Sequence, residues 1–95
     1  MSAFYIFHTS INDQSKFQTY AKSVPGTLAP FGGEVVSRGI ATKVVEGEHG
    51  HNIVAVLRFP DQETATSWYK SEAYQALIPN RDEAANMTAI CYNEL

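Results

Sequence analysis

His8, Arg38 and Arg58 are the side chains of this sequence best suited to acid–base or anion chemistry. An imidazole titrates near neutral pH, so His8 suits a general base. A guanidinium presents a rigid fork of donors that grips a carboxylate or phenolate bidentately, and Arg38 suits a developing oxyanion. Each lies in an extended, mostly apolar stretch, and strict alternation would turn all three to one face of a sheet. Buried charges are costly unless paired or hydrated. A structural reading therefore competes with the chemical one. The arginines can pair with Glu34, Glu94 or a carboxylate of a second chain, or reach solvent at the end of the sheet. His8 can be a satisfied structural histidine.

Tyr20, Trp68, Tyr69, Tyr74 and Arg81 form a second set. Hydroxyls and a guanidinium on an aromatic wall would orient a small polar or aromatic molecule in a cleft between helices and sheet. Aromatic residues at helical spacing are more often core, and Arg81 can equally hold Glu72 or Asp82. His49-Gly50-His51 is a pair that zinc or nickel would accept. No third ligand is placed beside it beyond Glu46 and Glu48, and a solvated turn explains the same residues, so no metal is expected. Cys91 lies mid-strand and reads as buried and inert. There is no glycine-rich phosphate loop, no nucleophile elbow and no Cys–His pairing, so no cofactor is expected either.

The elements that must position these groups are organised around residues 52–71, NIVAVLRFPDQETATSWYKS. Ile53, Val54, Ala55, Val56 and Leu57 make a near-continuous apolar run, the mark of a buried strand. Pro60 stops it, having no N–H for a ladder. Asp61 follows as a helix N-cap, with Glu63 in the first turn, where the helix dipole favours negative charge. A first strand is expected over 4–11. A helix follows over 13–24, with Asn12 and Asp13 as cap and turn residues, Phe17, Tyr20, Ala21 and Val24 on one face and Pro25-Gly26 ending it. A second strand is expected over 34–45, with Val35, Ser37, Gly39 and Ala41 pointing one way, Val36, Arg38, Ile40 and Thr42 the other, and Gly39 marking a bend or bulge. Ser71 caps a further helix carrying Tyr74, Leu77, Ile78 and Arg81, which Pro79 kinks or splits. A last strand spans 87–94. The order β-α-β-β-α-β is the ferredoxin-like arrangement of the α+β class: a four-stranded antiparallel sheet with helices on one face.

At 95 residues this is a single domain. The 44% hydrophobic content fits a packed core, and a net charge of −3 without a basic cluster argues against nucleic acid. No apolar run approaches the length of a membrane span. A lone cysteine and the absence of a signal-like N-terminus point to the cytoplasm.

Helices can cover only one face of such a sheet, and the other would then read polar if it met water. It does not. Phe4, Ile6, Val36, Ile40, Val54, Val56, Ile90 and Tyr92 are apolar, and so are most of their alternates. That patch exceeds what monomers tolerate, and a second copy is the simplest cover. A homodimer is expected.

Leu28-Ala29-Pro30-Phe31-Gly32-Gly33, Arg38-Gly39, Glu46-Gly47, Leu57-Arg58-Phe59-Pro60, Ala65, Trp68-Tyr69, Ser71-Glu72-Ala73-Tyr74-Gln75 and Arg81 together resemble the family called domain of unknown function 1330, over nearly the whole chain. The resemblance implies a dimeric α/β-barrel, in which two ferredoxin-like sheets pair. Relatives at that broader level include small monooxygenases, haem-degrading enzymes, muconolactone isomerases and stress-response proteins. It also places Tyr69, Tyr74 and Arg81 on the family's helix signature. His8 and Arg58 stand where the family's pattern would have acidic residues. The reading is a homodimer that binds a small anionic or aromatic molecule. The alternatives are a cofactor-independent enzyme using His8 or a tyrosine with Arg38, and a dimer without catalysis.

Overall fold

The computed structural model describes residues 1–95, all of the chain. The elements run β1 (Ala3–Ile11), α1 (Gln14–Leu28), a 3-10 turn (Ala29–Phe31), β2 (Glu34–Ile40), β3 (Ile53–Phe59), α2 (Gln62–Lys70), α3 (Glu72–Gln75), α4 (Ile78–Ala84) and β4 (Ala85–Asn93). The four strands form one sheet in the order β2-β3-β1-β4, every pair antiparallel. This is the expected ferredoxin-like α+β topology, with the helices on one face.

Strand alternation decides which side chains enter the core. On β1, Ala3, Tyr5, Phe7 and Thr9 are buried, while Phe4, Ile6, His8 and Ser10 between them are half-buried. From α1, Tyr20, Val24 and Leu28 come down on that covered face at intervals of four. Phe59, Trp68 and Tyr74 are the largest side chains wholly enclosed. Trp68 packs 4.3 Å from Tyr74 and 5.3 Å from Phe59, centroid to centroid, and its indole N–H donates to Thr27 Oγ1 at 3.0 Å. Aromatic burial of this kind dominates the energetics of a small core.

The predicted caps are present. Asp13 accepts from the Lys16 backbone N–H at 3.0 Å, Asp61 from that of Thr64 at 2.7 Å, and Ser71 from that of Tyr74 at 3.2 Å. Pro79 sits in the first turn of α4, where its missing N–H costs nothing, so it splits the C-terminal helix as expected.

Three boundaries differ from the sequence reading. Pro25-Gly26 does not end α1, which runs on to Leu28. An interior proline costs about 3 kcal/mol. Carrying Leu28 into the core, where it is 2% exposed, offsets much of that. Residues 41–45 are not strand; β2 stops at Ile40, and residues 41–52 form a long loop. β4 begins two residues early, at Ala85.

The fourth difference matters most for function. β2 carries a bulge between Val35 and Ser37, so Val36 has no partner on β3. An extra residue shifts the phase of everything after it. Arg38 now lies opposite Ala55 and Ile40 opposite Ile53, on the helix-covered side. Ser37 and Gly39 take the other face, opposite Val56 and Val54. The expectation that Arg38 shares a face with His8 and Arg58 is overturned, as is the placement of Ile40 beside Phe4 and Ile6.

Candidate functional site

The helix side of the sheet is not completely filled. A partly open cavity of about 510 Å³ lies between α1 and the strands. Phe17, Tyr20 and Val24 wall it from the helix, Phe7, Leu57 and Met87 from the sheet. Thirteen of its 18 lining residues are hydrophobic, so polar groups are few and each can select a ligand. They include Thr9, Tyr20 and Arg38, while Glu34 borders the cavity with its side chain on the Arg58 face. The bulge brings Arg38 here. None of the molecule's three ion pairs engages it, so its guanidinium is available to an anion.

Behind the cavity wall runs a hydrogen-bonded chain. The Tyr20 and Tyr74 hydroxyls are 2.8 Å apart, and Arg81 Nη1 donates to Tyr74 Oη at 3.1 Å. Arg81 also reaches Asp82 through Nε at 3.2 Å and Nη2 at 3.1 Å. Within the Tyr20–Tyr74 pair either hydroxyl can be the donor, while Arg81 uses the Tyr74 oxygen as an acceptor. Burial, together with the Tyr74 hydroxyl, pushes the Tyr20 phenol well above the ordinary tyrosine range. Burial raises Tyr74 as well. Near neutral pH Tyr20 is therefore a hydrogen-bond donor and not a phenolate base.

The remaining residues divide among three places. Trp68 is fully buried and does not line this cavity; Tyr69 packs at the core edge, 5.9 Å from the Tyr5 ring. Arg58 lies on the uncovered face, 3.6 Å from Glu94, one of the pairings the sequence allowed. His8 is on that same face but at the opposite end, opposite Val54 and Thr88. The proposed pairing of His8 with Arg38 is thus divided by the thickness of the sheet. Cys91 is half-buried, not fully so, and burial pushes its thiol up, away from reactive thiolate.

Sequence reading missed Phe7, Thr9 and Met87 as cavity wall. One signal was available for Thr9. It continues the core phase of Tyr5 and Phe7 with a polar group, and it is 2% exposed.

His49 and His51 fold back over the uncovered face. The His8 and His49 rings stand edge to face at 4.8 Å, and His49 and His51 at 5.8 Å. No group of three histidines, cysteines or carboxylates has a metal-holding arrangement.

The model of the family described as "Domain of unknown function (DUF1330)" matches residues 2–95. No curated protein matches the chain. Among solved structures, a protein of unknown function from Rhodopseudomonas palustris superposes with a TM-score of 0.83 at 13% identity, covering 99% of this chain and 82% of that one. SnoaB, a cofactor-independent oxygenase from Streptomyces nogalater, gives 0.72 at 7% identity, covering 99% and 93%. A dimeric ferredoxin-like protein of unknown function from Thermobifida fusca gives 0.64 at 9% identity, covering 99% and 92%. At these identities the likeness is one of fold.

Proposed function

The chain belongs to the family described as a domain of unknown function, DUF1330, and from that premise we propose a cytoplasmic homodimer that binds a small, largely apolar molecule bearing one anionic or phenolic group. The observation that carries this reading is the apolar cavity with an unpaired Arg38 and with Tyr20 in its wall. The ligand's apolar body would lie against Phe7, Leu57 and Met87. Arg38 would take its charged end, and the Tyr20 ring would flank it.

The second copy would cover the open face. Phe4, Ile6, Val54, Val56, Ile90 and Tyr92 line it, with Ile90 39% and Tyr92 38% exposed. The Cα envelope measures 33 × 32 × 16 Å, a slab whose broad side offers on the order of 1,000 Å², against about 800 Å² per partner in a standard interface. Only 14 of 95 residues are buried in the single chain, which leaves much apolar surface to be removed from water. The relative from Thermobifida fusca is described as dimeric.

Binding is favoured over catalysis by one fact. Acid–base chemistry in the cavity would need a group that titrates near neutrality, and His8 is on the other face while Tyr20 is held protonated.

Thermal-shift titration with aryl carboxylates, phenols and their neutral amides tests the reading. Wild type should be stabilised by the anions; a ligand at a hundred times its Kd adds about 2.7 kcal/mol. Arg38→Ala should lose the response to carboxylates and keep any response to neutral analogues. An Arg38→Ala variant that responds as wild type does, or a wild type stabilised by none of these probes, defeats the ligand assignment. A monomeric mass by light scattering at micromolar concentration defeats the dimer.

A further inference from the structure

The uncovered face of the sheet has an ordered distribution of charge. Its centre is apolar, with Phe4 and Tyr92 stacked 5.3 Å apart beside Ile6 and Ile90. One end holds the Arg58–Glu94 pair, with Glu34 opposite Arg58 on β2. The other end, about 13 Å along β1, holds three imidazoles. Those three are all the histidines in the chain. His8 comes from β1, and His49 and His51 from the loop between β2 and β3.

The loop is held down by a definite set of hydrogen bonds. Ser10 Oγ donates to the Gly50 carbonyl at 3.2 Å and lies 2.9 Å from His51 Nδ1. A hydroxyl has one proton, so with that proton on Gly50, His51 Nδ1–H must donate to Ser10. Its Nε2, 3.3 Å from Thr88 Oγ1, then accepts from Thr88. His8 and His49 have no such partners. Their rings face each other at 4.8 Å, and none of the three ion pairs includes a histidine. Around His8 the neighbouring elements present Val54 from β3, Thr88 from β4, and His49 and His51 from the loop; the acidic groups of that loop, Glu46 and Glu48, make no ion pair with it.

We propose that the pairing of two copies through this face is undone by acidification, with His8, set against the His49 ring, as the switch. The inference rests on the homodimer reading above. A second copy that covers the face removes water from His8, which stands against the His49 ring, and favours its neutral form. A cationic His8 sealed from solvent without an acidic partner carries a desolvation cost. Burial, followed by His49 and His51, already holds His8 below the ordinary histidine value in the single chain. The sign follows: the dimer binds fewer protons than its separated halves, so it is stable above the histidine range and weakens as pH falls through it.

Sedimentation velocity at about pH 7.5 and about pH 5.5, on wild type and on the double variant His8→Gln/His49→Gln, tests this. Wild type should be dimeric at the higher pH and dissociate at the lower, its dissociation constant rising about tenfold or more, the equivalent of one pKa unit. The double variant should remain dimeric at both. Far-UV circular dichroism should show the same secondary structure at both pH values. Wild type dimeric throughout, a double variant that dissociates as wild type does, or unfolding in place of dissociation overturns the switch and leaves the dimer standing. A wild type monomeric at the higher pH overturns the dimer, and the switch with it.

Discussion

The two faces of the sheet are made of nearly the same amino acids and have opposite fates. On β3, Leu57 and Phe59 point under the helices and are 4% and 1% exposed. Val54 and Val56, their alternates, are as apolar but only half-buried. On β1, Phe7 is enclosed and Ile6 is not. Hydrophobicity alone therefore does not say which face is the core. Three helices' worth of Tyr20, Trp68 and Tyr74 do, because only one side can receive them. The covered face gains a single-chain core with a cavity left in it. The open face keeps a surface that has value only when something else is laid on it.

Truncation on either side of β3 should separate the two. Leu57→Ala should cost about 2–5 kcal/mol at any protein concentration, as expected for an enclosed leucine. Val56→Ala should cost roughly 1 kcal/mol in dilute protein, since its methyl groups are already partly wet. That penalty should grow as concentration rises and the face becomes covered. Urea midpoints measured at nanomolar and at tens of micromolar protein decide the matter. Equal penalties, with no dependence on concentration, would mean that the open face is not an interface. Gly33→Ala comes next. A Cβ there would lie 2.6 Å from Phe59 Cε2 and 3.0 Å from Leu28 Cδ2, both core atoms that cannot swing away. The loss should be about 1–3 kcal/mol, and a variant as stable as wild type in urea would show that this end of the core is loosely packed.

What could be read from the sequence follows the same division. The strands, the caps at Asp13, Asp61 and Ser71, and the helix faces are local, set by residues within a turn or two, and they were legible. So was an uncovered apolar face, because alternation is a property of one strand at a time. The site was legible only in pieces. Tyr20 and Arg38 were both singled out, but the bulge after Val35 was not, and one unpaired residue moved Arg38 to the other side of the sheet. The glycine at 39 suggests a bulge there, but Gly39 pairs regularly with Val54 and the bulge lies after Val35, because pairing with β3 fixes its place. Likewise the helix passes Pro25 because Leu28 has a distant pocket to fill, which no local rule reports.

Smaller effects refine the covered side. Tyr20→Phe removes one hydroxyl from the chain to Tyr74 but leaves Tyr74 bonded to Arg81. It should cost about 1 kcal/mol, because no buried group is left wholly unpaired. A loss as large as that of Leu57→Ala would mean that the hydroxyl pair, and not apolar packing, holds α1 to the helices opposite.

The smallest effect lies at the start of α2, the helix that presses Trp68 into the covered face. The Asp61 carboxylate accepts the Thr64 N–H at 2.7 Å, and this bond, with the Thr64 hydroxyl, holds its pKa below the usual carboxylate value. A depressed native pKa means that the folded state binds the proton less readily than the unfolded one. The cap's electrostatic contribution is complete above the ordinary aspartate range, about pH 4, and is lost as pH falls through the native value. In an Asp61→Asn variant the side-chain amide oxygen would accept the same N–H without titrating. Between about pH 5 and about pH 3 wild type should therefore lose more thermal stability than Asp61→Asn, while the carboxylates common to both cancel in the difference. Equal losses would show that the cap acts through its hydrogen bond alone and that the charge at this helix end contributes nothing.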